Sequence, residues 1–215
     1  MKIVVFGGTG NVGRRIVHEA VNRGHEVQVV ARKPGAEPDW NGQVTLDQGD
    51  ITDPKSVTEH VQGADAVVNA ISPRPDGDLP ASSLVDAAES LIEGLKDANV
   101  KRVVIVGGAG TLEAEPGVDL VDMPGYPKGY RSESIQQRKA LNTYRSKAAD
   151  LEWTYVAPAA TFTPGDRTGE YRTTEDALLK DDTGRSRISY EDFAVAVLDE
   201  IENPRHVRGR IGVAY

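Results

Sequence analysis

The chain opens on the apolar run Ile3-Val4-Val5-Phe6, and short runs of the same kind recur through its first two thirds. Lys2–Phe6, Glu26–Ala31, Val44–Leu46, Ala66–Ala70 and Arg102–Val106 are nearly continuous in apolar, mostly β-branched residues, as expected of strands buried on both faces. Between them the spacing turns helical. Val12, Ile16, Val17, Ala20 and Val21 share one helical face, and Gly24 follows as a suitable stop. Leu84, Ala88, Leu91, Ile92 and Leu95 form a second stripe, headed by Ser83 and Asp86 in capping-box spacing. Strands alternating with helices predict βαβ units with right-handed crossovers and a parallel sheet.

After the fifth strand the periodicity lapses. Residues 107–130 are dense in glycine and proline and read as a long loop, a feature that is usually functional inside a compact domain. A helix over 131–149 and a strand over Glu152–Val156 resume the alternation. Residues 157–187 are polar and rich in Thr, Gly and Asp, with one short strand near Glu170–Arg172. A last helix starts at Ser189, with Tyr190, Ala194, Val197, Leu198 and Ile201 facing inward, and Ile211–Ala214 reads as a closing strand. The expected fold is α/β: a Rossmann-type doubly wound parallel sheet, one domain over 1–215 with a small C-terminal substrate lobe made of loops. Both irregular stretches, 107–130 and 157–187, follow strand carboxyl ends, where open α/β sheets bind ligands.

The turn between the first strand and first helix is Gly7-Gly8-Thr9-Gly10-Asn11-Val12-Gly13, a G-x-x-G-x-x-G spacing related to the dinucleotide fingerprint. Gly7 permits the tight turn, Gly10 lets the backbone approach a pyrophosphate, and Gly13 lets the helix pack close to the strand. Thr9, Asn11 and Val12 complete the cradle. Where NAD-specific sites usually carry an acid, the second strand ends in Arg32-Lys33, which suits the 2′-phosphate of NADP(H). NADP(H) is the preferred cofactor on this reading, with NAD(H) open. Asp50 and Ile51, after the third strand, are assigned to adenine, and Asp53-Pro54 to a helix cap.

Composition narrows the partners. The net charge of −8 offers no general basic field for nucleic acid or an anionic membrane. With no cysteine there is neither a disulfide nor thiolate chemistry, and His18, His25, His60 and His206 are scattered without metal-ligand spacing and read as surface residues. Met1 runs straight into the first strand and no apolar run has the length of a membrane span, so a cytoplasmic monomer or homodimer acting on a small molecule is expected.

The stretches GGTGNVG, GDITD, VVNAIS, VIVGGAG, LEWTYVAPAATFTPGDRTGEYR and SRISYEDFAVAVLDEIENP resemble the atypical short-chain dehydrogenase/reductases, specifically the small members named as NADH-flavin reductases. More distantly the chain is similar to the biliverdin-IXβ reductases, which reduce flavins with NADPH. The resemblance implies that Gly107, Gly108 and Ala109 flank the nicotinamide, that Pro158, Ala159 and Ala160 lie beside its carboxamide, and that Asn69, Ala70 and Ile71 lie beside the ribose. It also exposes a departure. The wider family uses a tyrosine with a lysine four residues on as general acid, yet Tyr126, Tyr144 and Tyr155 are followed at that spacing by Tyr130, Ala148 and Ala159.

Hydride transfer to a flavin or quinone asks less of the protein, because the acceptor is an electron sink and solvent can supply protons. The leading expectation is therefore an NADPH-dependent reductase of a small planar acceptor, with flavin a substrate rather than a prosthetic group. A non-catalytic NADP(H)-binding redox sensor, and a reductase or epimerase acting on a biosynthetic carbonyl, are the alternatives. Phe162, Tyr126 and Tyr130 are the candidates for stacking on an acceptor ring, and Arg167 and Arg172 for holding an acceptor phosphate.

Overall fold

The computed structural model describes residues 1–34, 40, 44–73 and 83–215. The elements run β1 (Lys2–Phe6), α1 (Asn11–Asn22), β2 (Glu26–Ala31), β3 (Val44–Gln48), α2 (Pro54–Val61), β4 (Ala66–Asn69), α3 (Ser83–Asp97), β5 (Arg102–Val106), β6 (Glu113–Glu115), β7 (Val118–Asp119), α4 (Lys128–Lys147), β8 (Glu152–Pro158), β9 (Thr161–Thr163), β10 (Arg172–Thr174), β11 (Arg187–Ser189), α5 (Tyr190–Glu202) and β12 (Gly209–Ala214). Among the described residues the main sheet has eight strands in the order β10-β12-β8-β5-β4-β1-β2-β3. Seven are parallel, and only the edge strand β10 pairs antiparallel, against β12.

Alternate residues of each central strand feed opposite faces, so the sheet divides the core in two. Val4, Phe6, Val67, Val103, Ile105 and Tyr155 pack with the apolar stripes of α2, α3 and α4. Ile3, Val5, Val29, Val68, Val104 and Val156 pack with α1 and α5 on the other side. This is the doubly wound α/β architecture that the strand–helix alternation predicts.

The differences lie where periodicity was weakest. The 107–130 stretch is not a plain loop: it holds 3-10 turns at Ala109–Thr111 and Leu120–Asp122 and the β6–β7 hairpin. The following helix begins at Lys128 rather than 131. The expected strand near Glu170 is Arg172–Thr174, and the lobe made of loops contains a second parallel pair, β9 with β11. These strands are three residues long and polar, so a pattern search has nothing to count. Asp53 caps α2 by accepting from Lys55 N–H at 3.1 Å, with Pro54 at the first position. Ser189 caps α5 in the same way, from Asp192 N–H at 2.9 Å. Ser83, expected at the head of α3, is its first helical residue. His25, expected at the surface, is buried and lies 2.8 Å from Glu202.

Candidate functional site

The parallel strands all point their carboxyl ends to one edge, and there the topology gathers residues far apart in sequence. Gly7–Gly13 follow β1, Arg32 and Lys33 follow β2, and Asp50 and Ile51 lie just past β3. Asn69 ends β4 with Ala70 and Ile71 beyond it, Gly107–Ala109 follow β5, and Pro158 ends β8 with Ala159 and Ala160 next. These strands are neighbours in the sheet, so the segments form one row across the edge. The strand order reverses between β1 and β4, and a crevice at that point is where such sheets bind nucleotides.

The glycine turn is built to be close. Gly7 has φ +80°, a conformation that L side chains rarely adopt, and a Cβ there would lie 2.7 Å from the Ala70 carbonyl carbon. At Gly13 a Cβ would sit 2.1 Å from the Gly7 carbonyl oxygen, so only glycine lets α1 start directly against the turn. Gly10 closes the turn, donating to Gly7 O at 3.0 Å, and itself accepts the Arg14 N–H at 3.0 Å. No side chain caps α1, which leaves its first amides without a side-chain acceptor at the carboxyl edge of the sheet. Arg14 braces the outside of the turn through Thr9 O at 3.1 Å, and Arg15 donates to Asn11 O. The backbone cradle therefore fits a pyrophosphate, with the helix dipole behind it.

The sequence assignments along the adenine end meet different surroundings. Arg32 and Lys33 are exposed just past β2. The Asp50 carboxylate accepts from Thr52 N–H at 2.9 Å and Thr52 Oγ1 at 2.8 Å, and Ile51 is buried in the core at 4% exposure. At the other end Asn69 is buried and accepts the Ile71 N–H at 3.2 Å. Gly107 is pressed on the Tyr155 ring: a Cβ there would approach Cε1 to 2.0 Å. Pro158 and Ala159 are buried, whereas Ala160 is exposed and donates its N–H to Ser186 Oγ at 3.1 Å.

Of the acceptor candidates, Phe162 is already packed, edge-on to Tyr190 with ring centroids 4.6 Å apart and 4.8 Å from Phe193. Tyr126 Oη shares a 2.6 Å hydrogen bond with Ser134 Oγ, and Tyr130 is 65% exposed on the first turn of α4. Arg167 and Arg172 both bond groups of the protein. Arg167 forms two 2.7 Å bonds to the buried Glu19, and Arg172 donates to the carbonyls of Lys180 and Tyr215.

The residues that fix the 164–171 segment were not legible in the sequence. Asp192 is completely buried and accepts Thr168 Oγ1, Gly169 N–H and Tyr215 Oη, each at 2.7 Å. Burial alone would raise its carboxyl, but these donors outweigh it and hold the group below the usual carboxylate range. Glu19, hydrogen-bonded by Arg167 and Arg23, is likewise held low. Together they tie the 164–171 segment to α1 and α5. Beneath Gly107 and Gly108, Tyr155 Oη donates to Gln137 Oε1 at 2.7 Å, and burial drives both Tyr155 and Tyr144 well above the ordinary phenol range. Neither phenol is poised to release a proton at neutral pH. No group of three or more metal-ligating side chains occurs among the described residues, and none of their helices is long and apolar enough to cross a membrane.

Comparison with known proteins agrees with this geometry. The chain is 36% identical over 216 residues to the uncharacterised protein YwnB of Bacillus subtilis, covering 99% of this chain and 98% of that one. A solved structure from Burkholderia pseudomallei, described as an exported protein, matches with TM-score 0.90 at 43% identity over 100% of both chains. One from Streptococcus pneumoniae, provisionally named an NADH-flavin reductase, matches with TM-score 0.88 at 29% identity over 100% of this chain and 99% of that one. The match over residues 7–204 and the close-packed glycine turn agree, and the chain belongs to the NAD(P)H-binding family.

Proposed function

We propose that the protein is an NADPH-dependent reductase of a small planar acceptor, a flavin or quinone. The observation that carries this reading is the floor of the crevice beyond β5. There Gly107 and Gly108 carry no side chain and lie as bare backbone against Tyr155 and Gln137, and the phenols of Tyr155 and Tyr144 are buried and pushed up rather than poised as acids. A site of that kind suits an acceptor whose reduction needs alignment more than proton transfer from a tyrosine. The likeness to the Streptococcus pneumoniae protein named as an NADH-flavin reductase supports the acceptor class.

The glycine turn and the first amides of α1 hold the pyrophosphate, Arg32 and Lys33 the 2′-phosphate, and Asn69–Ile71 the ribose. Gly107–Ala109 and Pro158–Ala160 flank the nicotinamide. Bound NADPH supplies a hydride. The chain's part is to orient the ring over the glycine floor and keep the acceptor parallel to it. NADPH oxidation by the purified protein should accelerate on adding riboflavin, FMN or menadione, with little turnover of simple ketones. No acceleration across such a panel would remove the reading.

A further inference from the structure

Tertiary packing brings an unused carboxylate to the acceptor end of the crevice. Helix α4 leaves the β6–β7 region at the carboxyl edge of the sheet and descends to the opposite edge, where β8 begins. Its inward face is Ser134, Gln137, Ala140, Leu141 and Tyr144. Gln137 packs on the glycine floor, its Cγ 3.5 Å from where a Gly108 Cβ would lie, and Ser134 crowds Gly110 in the same way at 2.6 Å. Glu133 is adjacent to Ser134 and one turn before Gln137 on the same side of the helix. At a rise of about 1.5 Å per residue it stands roughly 6 Å beyond Gln137, above the level of Gly108.

Glu133 is half-buried, and among the described residues it makes no hydrogen bond or ion pair. Several of the charges on the elements around it are engaged elsewhere, while Lys128 and Lys139 of α4 are exposed. Arg138 holds Asp119 and Asp122 across the hairpin, Arg131 acts on Asp122, and Lys147 pairs with Glu89 of α3. Of the two phenols nearest in sequence, Tyr126 is bonded to Ser134 and Tyr130 is 65% exposed. An unpaired carboxylate in partial burial costs stability, which favours its neutral form.

We propose that Glu133 is the proton donor to the acceptor, an assignment that rests on the reductase reading. Burial alone raises its carboxyl above the usual glutamate range, the direction a neutral donor requires. In the step the carboxylic O–H bond breaks, and its proton goes to the acceptor heteroatom that has not received the hydride. The carboxylate left behind takes a proton from solvent. The acceptor gains two electrons with the hydride, and the nicotinamide is oxidised by the same two.

Glu133→Gln is near-isosteric and tests this twice. With NADPH and menadione, kcat should fall about 100-fold, the low end for a general acid since solvent can partly substitute. The NADPH Kd should stay within twofold, the high-pH decline of the wild-type profile should vanish, and Glu133→Asp should recover part of the rate. Independently of turnover, thermal unfolding from pH 4 to 8 should show Glu133→Gln gaining on the wild type as pH rises. A raised folded-state pKa means that ionisation opposes folding. Unchanged kcat and pH profile in the Gln variant, or a Tm difference flat with pH, overturns the assignment alone. Failure of the wild type to reduce any flavin or quinone overturns the reductase reading and the assignment with it.

Discussion

Asp192→Ala should be among the most damaging single changes to this protein outside the glycine turn. The carboxylate is fully buried at the start of α5 and receives three 2.7 Å hydrogen bonds, from Thr168, Gly169 and Tyr215. Bonds to a charged acceptor contribute about 1.5–3 kcal/mol each, but Thr168 and Tyr215 sit near the surface and their hydroxyls can turn to water once the acceptor is gone. Tyr215 also has Ser189 Oγ at 2.9 Å as a second partner. With two of the three bonds discounted for that rehydration, removing the acceptor costs about 3–5 kcal/mol. For a chain of this length that is a fall in Tm of roughly 8–15 °C. Asp192→Asn keeps one acceptor for Gly169 and can donate to both hydroxyl oxygens, so its cost is nearer 1–2 kcal/mol. The pH dependence follows from the sign of the shift. The carboxyl is depressed in the folded state, so its contribution is complete above the unfolded value of about 3.9 and is lost as pH falls through the lower folded value. Urea unfolding of wild type and both variants at pH 7, repeated toward pH 3, measures all of this. A loss below about 1 kcal/mol for Asp192→Ala at pH 7 would show that the three bonds are not what holds the 164–171 segment.

Three further changes test the crevice. Gly13→Ala drives a methyl to within 2.1 Å of the Gly7 carbonyl, so the turn must open; NADPH Kd should rise at least tenfold by fluorescence titration, with a stability loss of about 1–3 kcal/mol. Arg32→Ala should weaken NADPH by roughly 10- to 100-fold and leave NADH nearly unchanged, since one charge-assisted phosphate contact is removed; equal losses would mean that the end of β2 does not read the 2′-phosphate. Phe162→Leu should lower stability by about 1–2 kcal/mol through its lost contacts with Tyr190 and Phe193 while acceptor KM stays within twofold; a large KM change with normal stability would restore Phe162 as a stacking platform.

The sequence by itself determined the parts governed by local rules. Continuous apolar runs gave β1, β2, β4 and β5, because a strand covered on both faces has no polar side to show. The helical stripes gave α1 and α3, and the glycine spacing identified the cradle, because only a residue without Cβ satisfies both the φ at Gly7 and the contact at Gly13. Asp53 and Ser189 were recognisable as caps because a cap is a local bond between a side chain and the next two or three amides.

Tertiary structure decided what depends on partners distant in the chain. Nothing near Arg167 announces that it pairs with Glu19, 148 residues away, and nothing near Asp192 announces that its donors come from a loop 23–24 residues earlier and from Tyr215. The sequence offers Phe162 as an aromatic candidate, but that α5 supplies two rings packed against it is visible only in the fold. Glu133 carries no signal in the local pattern of the 131–149 stretch. Only the packing of α4, with Gln137 against Gly108, half-buries that carboxyl. Such placements are set by the order of strands in the sheet and the crossovers between them, which fix distances no local pattern encodes.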